Sequence, residues 1–163
     1  MKTIKLILVL LVSTVSVGQG LYGNDDKRFT ISINTEPNAI IKDGFNFGAN
    51  IDYQMDNTYF KLGIYSFPDL NNVGYFQYHG AVGFNKHLGM FEDSRVYVGG
   101  LVGVNFREGN RNPIAGIEGG YQYYLTESIG LGLMASYIYR SDSEFYEGDM
   151  WIFNGGIEII FVL

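Results

Sequence analysis

Cysteine is absent from this chain of 163 residues. Its absence excludes disulfide bonds, thiol catalysis, cysteine-based metal sites and a lipidated N-terminal cysteine. Basic residues are also few, with 11 Lys and Arg against 17 Asp and Glu, so the formal net charge is −6. This acidic balance argues against nucleic acid as a partner. Without disulfides the domain needs another source of stability, and a closed sheet that pairs every backbone group is one.

Proline is scarce as well. The three prolines are Pro37, Pro68 and Pro113, and all fall in segments that look like loops. Because proline cannot donate a hydrogen bond within a sheet, its confinement to loops predicts long, continuous strands.

Long apolar runs are missing except at the N-terminus. Two lysines precede the apolar run Leu6–Val12, and small residues before Gln19 form a candidate cleavage site. The run is shorter than the ~20 residues of a membrane-spanning helix. We therefore expect residues 1–18 to be a cleaved signal peptide and residues 19–163 to form one mature domain.

The mature part alternates apolar and polar residues with period two, which is typical of strands with one apolar face. The last stretch shows the pattern most clearly, with an apolar or small residue at every odd position from Trp151 to Leu163. Most stretches are close to the ~9–11 residues that a tilted membrane strand needs. The pattern predicts an all-β, eight-stranded, antiparallel, up-and-down transmembrane β-barrel with its apolar rows outward. The predicted strands span residues 27–34, 44–55, 58–66, 74–84, 95–106, 114–125, 129–140 and 151–163.

The second and third predicted strands allow a test of register. If Asp56 and Asn57 form a two-residue hairpin turn, the numbers of cross-strand partners sum to 113. Apolar residues then face apolar residues, polar residues face polar ones, and Asp52 lies directly opposite Lys61. We expect these two residues to form an ion pair inside the barrel.

An even number of strands places both termini on one side, which the export signal predicts to be the periplasm. Short turns should then follow the second, fourth and sixth strands, although the segment 85–94 is longer than this rule favours. The predicted outside loops are residues 35–43, 67–73, 107–113 and 141–149.

The segment Gly116–Leu133 joins a Gly/Tyr-rich strand, a short polar turn and a returning Gly-Leu strand. It resembles the small outer-membrane barrels of the OmpA/OmpX type, and the terminal aromatic row resembles their C-terminal assembly signal, with Phe161 third from last and Leu163 final. The resemblance implies an outer-membrane location, contact with lipid and lipopolysaccharide, insertion by the barrel-assembly machinery and a lumen filled by side chains. It implies no particular activity. We expect a monomer.

Charged and polar residues collect on the inward rows. An eight-stranded barrel is just wide enough for its own side chains, so we predict a salt-bridge plug in the lumen. A proton or ion path, or a ligand site, is the alternative. The predicted lumen network consists of Asp52, Lys61, His79, Arg95, Glu118, Arg140 and Glu158.

Other motifs carry weaker signals. Outer-membrane lipid A deacylases resemble this architecture and use a His with a Ser two residues later, but Ala81 takes that place after His79. The acidic loop Ser141–Asp149 could bind divalent cations or simply be solvated. The glycines between Gly99 and Gly103 lie within a predicted strand, which is not the context of a nucleotide-binding loop. We therefore predict no catalytic, cofactor-binding or metal-binding residues.

Two classes of function remain beside the main hypothesis. That hypothesis is a non-enzymatic outer-membrane barrel with a structural, surface-interaction or minor permeation role. The first alternative is a secreted, soluble, lipocalin-like barrel that binds a small apolar ligand, which requires the apolar rows to face inward. The second is a barrel enzyme that modifies lipid A.

Overall fold

The computed structural model describes most of the predicted mature domain. The predicted signal peptide, the turn residue Asp56 and the acidic loop lie outside the described residues. For seven strand residues only the backbone is described, namely 68–70, 73, 140, 151 and 152. The described residues are 27–37, 40, 45–55, 57–70, 73–88, 94–140 and 151–163.

Eight strands form one closed barrel in which each strand pairs antiparallel with the next, and the last pairs with the first. The fold predicted from the alternation is confirmed. The strands are β1 (Lys27–Thr35), β2 (Phe47–Met55), β3 (Thr58–Leu70), β4 (Val73–Leu88), β5 (Ser94–Arg107), β6 (Asn110–Tyr124), β7 (Ile129–Arg140) and β8 (Trp151–Val162).

The register fixes how wide the barrel is. A row of cross-strand partners that starts at Ile31 reaches Trp151 in β8. The residue numbers of cross-strand partners in β8 and β1 sum to 192, so Trp151 is level with position 41. Position 41 is ten residues beyond Ile31, where the row of partners started. Eight strands with this offset tilt by roughly 40° and enclose a lumen only wide enough for side chains.

We call the end of the barrel that carries Lys27 and Leu163 the terminal end, and the opposite end the far end. Closure at the terminal end involves the last residues of the chain. The Leu163 amide donates a hydrogen bond of 2.9 Å to the Phe29 carbonyl, and the Val162 amide donates one of 2.9 Å to the Ser128 carbonyl. The C-terminal aromatic row is thereby held between its neighbours on both sides.

The two faces of the sheet differ sharply. Outward apolar side chains are exposed, with Leu62 at 68%, Val102 at 67% and Ile117 at 60%, whereas inward Arg95 is fully buried. This sidedness is the one predicted for a membrane barrel. It is the reverse of the arrangement that the lipocalin-like alternative requires.

The hairpin between β2 and β3 has the predicted register, and Asp52 is the cross-strand partner of Lys61. Two predicted outside loops are instead mostly strand. β3 extends to Leu70 and β4 begins at Val73. β5 and β6 are joined by Glu108 and Gly109, with φ angles of 49° and 81°, which is the backbone of a tight hairpin turn.

Two prolines lie within strands, so the prediction that all three fall in loops is wrong. Pro68 belongs to β3 and Pro113 to β6. Pro68 lies beyond Ser66, the last β3 residue with a described partner in β2, and Pro113 lies beyond Ile114, the last with one in β7. At both positions the strand has a described neighbouring strand on one side only. Proline is tolerated at such an edge because it has no N–H to donate.

Candidate functional site

The lumen holds the residues that sequence analysis singled out. Six of the seven predicted network residues are buried there, and the side chain of Arg140, in β7, lies outside the described part of the chain. Strand alternation places each of them inward, because each lies an even number of positions along its strand from other inward residues. The six buried residues are Asp52, Lys61, His79, Arg95, Glu118 and Glu158.

Two ion pairs cross the lumen between strands that are three apart in the barrel order. Arg95 Nη1 lies 2.5 Å from Asp52 Oδ2, and Lys61 Nζ lies 2.8 Å from Glu118 Oε1. The predicted pairing of Asp52 with Lys61 is therefore wrong, although their register is right. Both side chains start on the same wall and extend toward the opposite wall, where an oppositely charged group meets each of them.

Amide side chains join the Arg95 pair to further strands. Arg95 Nη1 donates to Gln122 Oε1 at 2.9 Å, and Arg95 Nε donates to Asn85 Oδ1 at 3.1 Å. Gln122 Nε2 donates to Glu158 Oε1 at 2.7 Å. Hydrogen bonds to charged groups are stronger than neutral ones, so this network ties β2, β4, β5, β6 and β8 together near the terminal end.

Two tyrosines that sequence analysis missed line the middle of the lumen. The Tyr59 hydroxyl donates a 2.9 Å hydrogen bond to Glu118 Oε1, and its ring meets that of Tyr97 edge to face at 5.4 Å. Lys61 Nζ lies 4.1 Å from the centre of the Tyr97 ring. Rings at this distance attract a cation. Inward parity, with glycine on neighbouring strands, was the signal that could have identified them.

A third contact crosses the lumen nearer the far end. The Tyr65 hydroxyl lies 3.0 Å from Met134 Sδ, which joins β3 to β7, and the Tyr65 ring stacks on His79 at 5.6 Å. The Tyr75 hydroxyl donates to Gln77 Oε1 at 2.6 Å, and Gln77 Nε2 lies 3.4 Å from His79 Nδ1. These side chains occupy the lumen on the far-end side of the charged groups.

Among the described residues, no serine or threonine hydroxyl is hydrogen-bonded to His79. Its described neighbours are an amide, a tyrosine ring and Gly63, and Ala81 is the next inward residue along β4. A hydrolytic histidine needs a hydroxyl or thiol nucleophile within hydrogen-bond reach. His79 packs instead as part of the lumen filling.

Neither a metal-ligand cluster nor a membrane-spanning helix is present in the described ranges. They contain no group of three or more His, Cys, Asp or Glu residues arranged to hold a metal ion. No helix among the described residues is long and apolar enough to cross a membrane. The glycines Gly99, Gly100 and Gly103 all lie within β5, as predicted, and not in a phosphate-binding loop.

Comparison with known proteins gives matches at the level of fold only. No family model matches the chain, and no curated protein matches it in sequence. Among solved structures it is similar to the N-terminal β-barrel domain of Pseudomonas aeruginosa OprF, with a TM-score of 0.53 and 15% identity over 85% of this chain and 98% of that one. It is also similar to Neisserial surface protein A, with a TM-score of 0.50 and 11% identity over 84% of this chain and 93% of that one. The chain thus has the eight-stranded barrel fold of small outer-membrane proteins, which its resemblance to the OmpA/OmpX type predicted.

Proposed function

We propose that this chain is a non-enzymatic outer-membrane β-barrel protein whose role is structural or surface-interacting. The observation that carries the proposal is the filled lumen. Arg95 with Asp52, Lys61 with Glu118, and Tyr65 with Met134 cross it at three successive levels. A lumen filled in this way favours a structural scaffold whose two ends are available for contacts. It argues against a permanent channel.

The outer surface supports a lipid environment. On β6 the outward residues Ala115, Ile117, Tyr121 and Tyr123 are all exposed, and none is charged. A soluble protein rarely exposes a continuous apolar surface of this kind. Export by a cleaved signal over residues 1–18, insertion by the barrel-assembly machinery, contact with lipopolysaccharide and a monomeric state are parts of the same proposal.

Location can be tested directly. We expect the full-length protein in outer-membrane fractions, and its folded form should migrate differently from its boiled form on a gel, because closed barrels resist detergent unfolding. Recovery of the folded protein in the soluble periplasm would contradict the membrane assignment.

Permeation is tested separately, in planar lipid bilayers. The wild-type barrel should show no steady conductance. The triple variant Lys61→Ala/Tyr65→Ala/Arg95→Ala should conduct, because each of the three levels of the lumen loses a side chain that crosses it. A steady wild-type conductance equal to that of the triple variant would mean that the protein is a channel, and the structural role would fail. Folding of both proteins is checked first by their heat-dependent gel mobility.

A further inference from the structure

An exposed cation lies on the outer surface of the barrel at the far end. Arg111 is exposed on β6, and its guanidinium carbon lies 5.7 Å from the centre of the Phe106 ring. Among the described residues, no carboxylate forms an ion pair with it. A guanidinium matches the geometry of phosphate oxygens better than any other side chain does. Arg111 is therefore available to bind an anionic group from outside the protein.

Aromatic rings lie beside this cation on the same outward face. The cross-strand partner of Arg111 is Phe106, whose own partner on β4 is Phe76. The Tyr78 ring meets the Phe76 ring edge to face at 4.7 Å and the Phe106 ring at 5.8 Å. Girdles of aromatic residues mark the level of the lipid headgroups in membrane barrels. These four residues, which we call the Arg111 cluster, therefore place a cation and an aromatic platform at that level.

An apolar groove continues from the Arg111 cluster toward the terminal end. Gly80 has no side chain and lies between its cross-strand partners Leu62 and Val102, which are both highly exposed and form two walls. Two open grooves of about 550 and 850 Å³ meet at Gly80, and Tyr78 lines the first of them. Both volumes are within the ~300–1,000 Å³ that is usual for ligand sites. The groove thus leads from the aromatic platform to the middle of the lipid-facing surface.

A cation, an aromatic platform and an apolar groove, in this order, match a phosphorylated lipid that stands upright in a membrane. The far end is expected to face outside, where lipopolysaccharide forms the outer leaflet, and its lipid A part carries both phosphate groups and acyl chains. We propose that the outward face of β3–β6 binds one lipopolysaccharide molecule, with a lipid A phosphate on Arg111 and an acyl chain in the groove at Gly80. This inference rests on the proposed function, because the groove faces lipid only in a membrane-inserted barrel.

A second copy of this chain fits the same surface less well. The described outward rows contain no carboxylate that could meet Arg111 across an interface between two copies. Charge complementarity therefore favours the phosphate of a lipid over another barrel.

The test measures lipid binding to the refolded chain without residues 1–18. Native mass spectrometry is performed from detergent micelles that contain lipid A, dephosphorylated lipid A or phosphatidylglycerol at equal concentration. We expect one lipid A per barrel, and binding about tenfold or more weaker without the phosphates, because hydrogen bonds between charged groups are lost. Equal binding of the two forms of lipid A, stronger binding of phosphatidylglycerol, or a stable dimer without bound lipid would overturn the proposal.

Two charge variants make the test specific to one end of the barrel. Arg111→Gln should weaken the binding of lipid A about tenfold or more. Lys86→Gln removes an exposed cation from the outward row of β4 at the terminal end and should leave the binding unchanged. Equal losses in the two variants would show that overall charge attracts the lipid, and the proposed site would fail.

Two glycine variants test the groove without changing any charge. A Cβ atom on Gly80 would lie 3.7 Å from Leu62 Cδ2, and one on Gly155 would lie 3.7 Å from Phe153 Cε1, so both positions accept a Cβ at ordinary contact distances. Gly80→Val fills the groove and should weaken the binding of lipid A, whereas Gly155→Val, on the outward face of β8, should not. Unchanged binding in Gly80→Val would overturn the assignment of the acyl chain to this groove.

The proposed function and this inference fail in different experiments. Heat-dependent gel mobility and membrane fractionation test the barrel itself, and all variants must pass the first of these before lipid binding is measured. A folded, membrane-inserted wild type that binds both forms of lipid A equally overturns only the lipid site. A wild type that stays folded and soluble without detergent overturns the proposed function and the lipid site together.

Discussion

At the scale of single residues, inward glycines determine where the lumen tyrosines can lie. A Cβ atom built on Gly120 would lie 2.6 Å from Tyr97 Cζ and 2.6 Å from the Leu133 carbonyl oxygen. Real Cβ atoms do not tolerate such distances, so the position must remain open for the ring to lie flat on the barrel wall. The ring in turn receives Lys61 and Arg95 over its face.

We therefore predict that Gly120→Ala lowers the free energy of unfolding by ~1–3 kcal/mol, the usual cost of overpacking a filled interior. Gly100→Ala on β5 is the matched control. Gly100 faces outward, and a Cβ there would lie 4.0 Å from the Gly116 carbonyl oxygen. Urea unfolding in lipid vesicles should show a clear loss for the first variant and almost none for the second; equal losses would mean that the glycines serve backbone bending alone.

A second residue-scale prediction concerns the ion pairs. Asp52→Ala leaves Arg95 charged and buried, which should cost ~3–5 kcal/mol. A double-mutant cycle for Asp52 and Arg95 should give a coupling above ~1 kcal/mol, and the cycle for Asp52 and Lys61 should give a smaller one. The reverse order would show that Asp52 pairs with its cross-strand neighbour.

These residues also show what sequence can and cannot predict at this scale. Parity along each strand is enough to place Asp52, Arg95 and Glu118 in the lumen, and to place Asp52 opposite Lys61. Parity gives no information on which groups meet across the lumen, because that depends on barrel width and side-chain length. Tyr59 and Tyr97 were assigned no role for the same reason, since an inward tyrosine in isolation gives no indication of its partner.

At the scale of strands, the alternation determines both the number of elements and the face that each one turns to lipid. It fails where a strand continues through residues typical of turns. The segment Phe67–Val73 contains proline, aspartate and two asparagines, yet β3 and β4 extend through most of it, with a shift of register between Phe67 and Leu70. The pairing of Phe67 with Tyr75 and of Leu70 with Val73 outweighs the local preference for a turn.

The outward face of β6 supports a strand-scale prediction. Ile117 and Leu125 are exposed to similar extents, 60% and 56%, but Ile117 lies in the middle of the outward row and Leu125 just beyond the strand's end. In lipid, Ile117→Arg should cost ~2–4 kcal/mol and Leu125→Arg ~0–1 kcal/mol, since the cost of a charge falls toward the interface. Urea titration in vesicles measures both. Similar costs at the two positions would mean that lipid does not surround the middle of β6.

Lumen substitutions are poor controls for this face. Gln122 is 2% exposed and bonds to Arg95, Glu158 and Tyr124. An arginine there would stand beside Arg95 and displace the network. A large effect of Gln122→Arg would therefore report on the filled lumen and not on the lipid face.

At the scale of the whole molecule, the register closes the barrel with an offset of ten residues and so determines its width. No single strand contains that information, because the offset is a sum over eight pairings. The hairpin arithmetic from Asp56 and Asn57 supplied one of them correctly. Closure explains why Asp52 meets Arg95 and Lys61 meets Glu118, although these four residues come from β2, β5, β3 and β6.

The last prediction concerns which end of the barrel faces outward. Eight strands place both termini at one end, and the export signal predicted before β1 leads us to expect that this end faces the periplasm. The native chain has no cysteine, so single cysteines can be introduced without background. Glu108→Cys at the far end should react with a membrane-impermeant maleimide in intact cells, whereas Glu127→Cys at the terminal end should react only after lysis, because the turn between β6 and β7 is predicted to face the periplasm. Labelling of Glu127→Cys but not Glu108→Cys in intact cells would mean that the barrel is inserted in the opposite orientation.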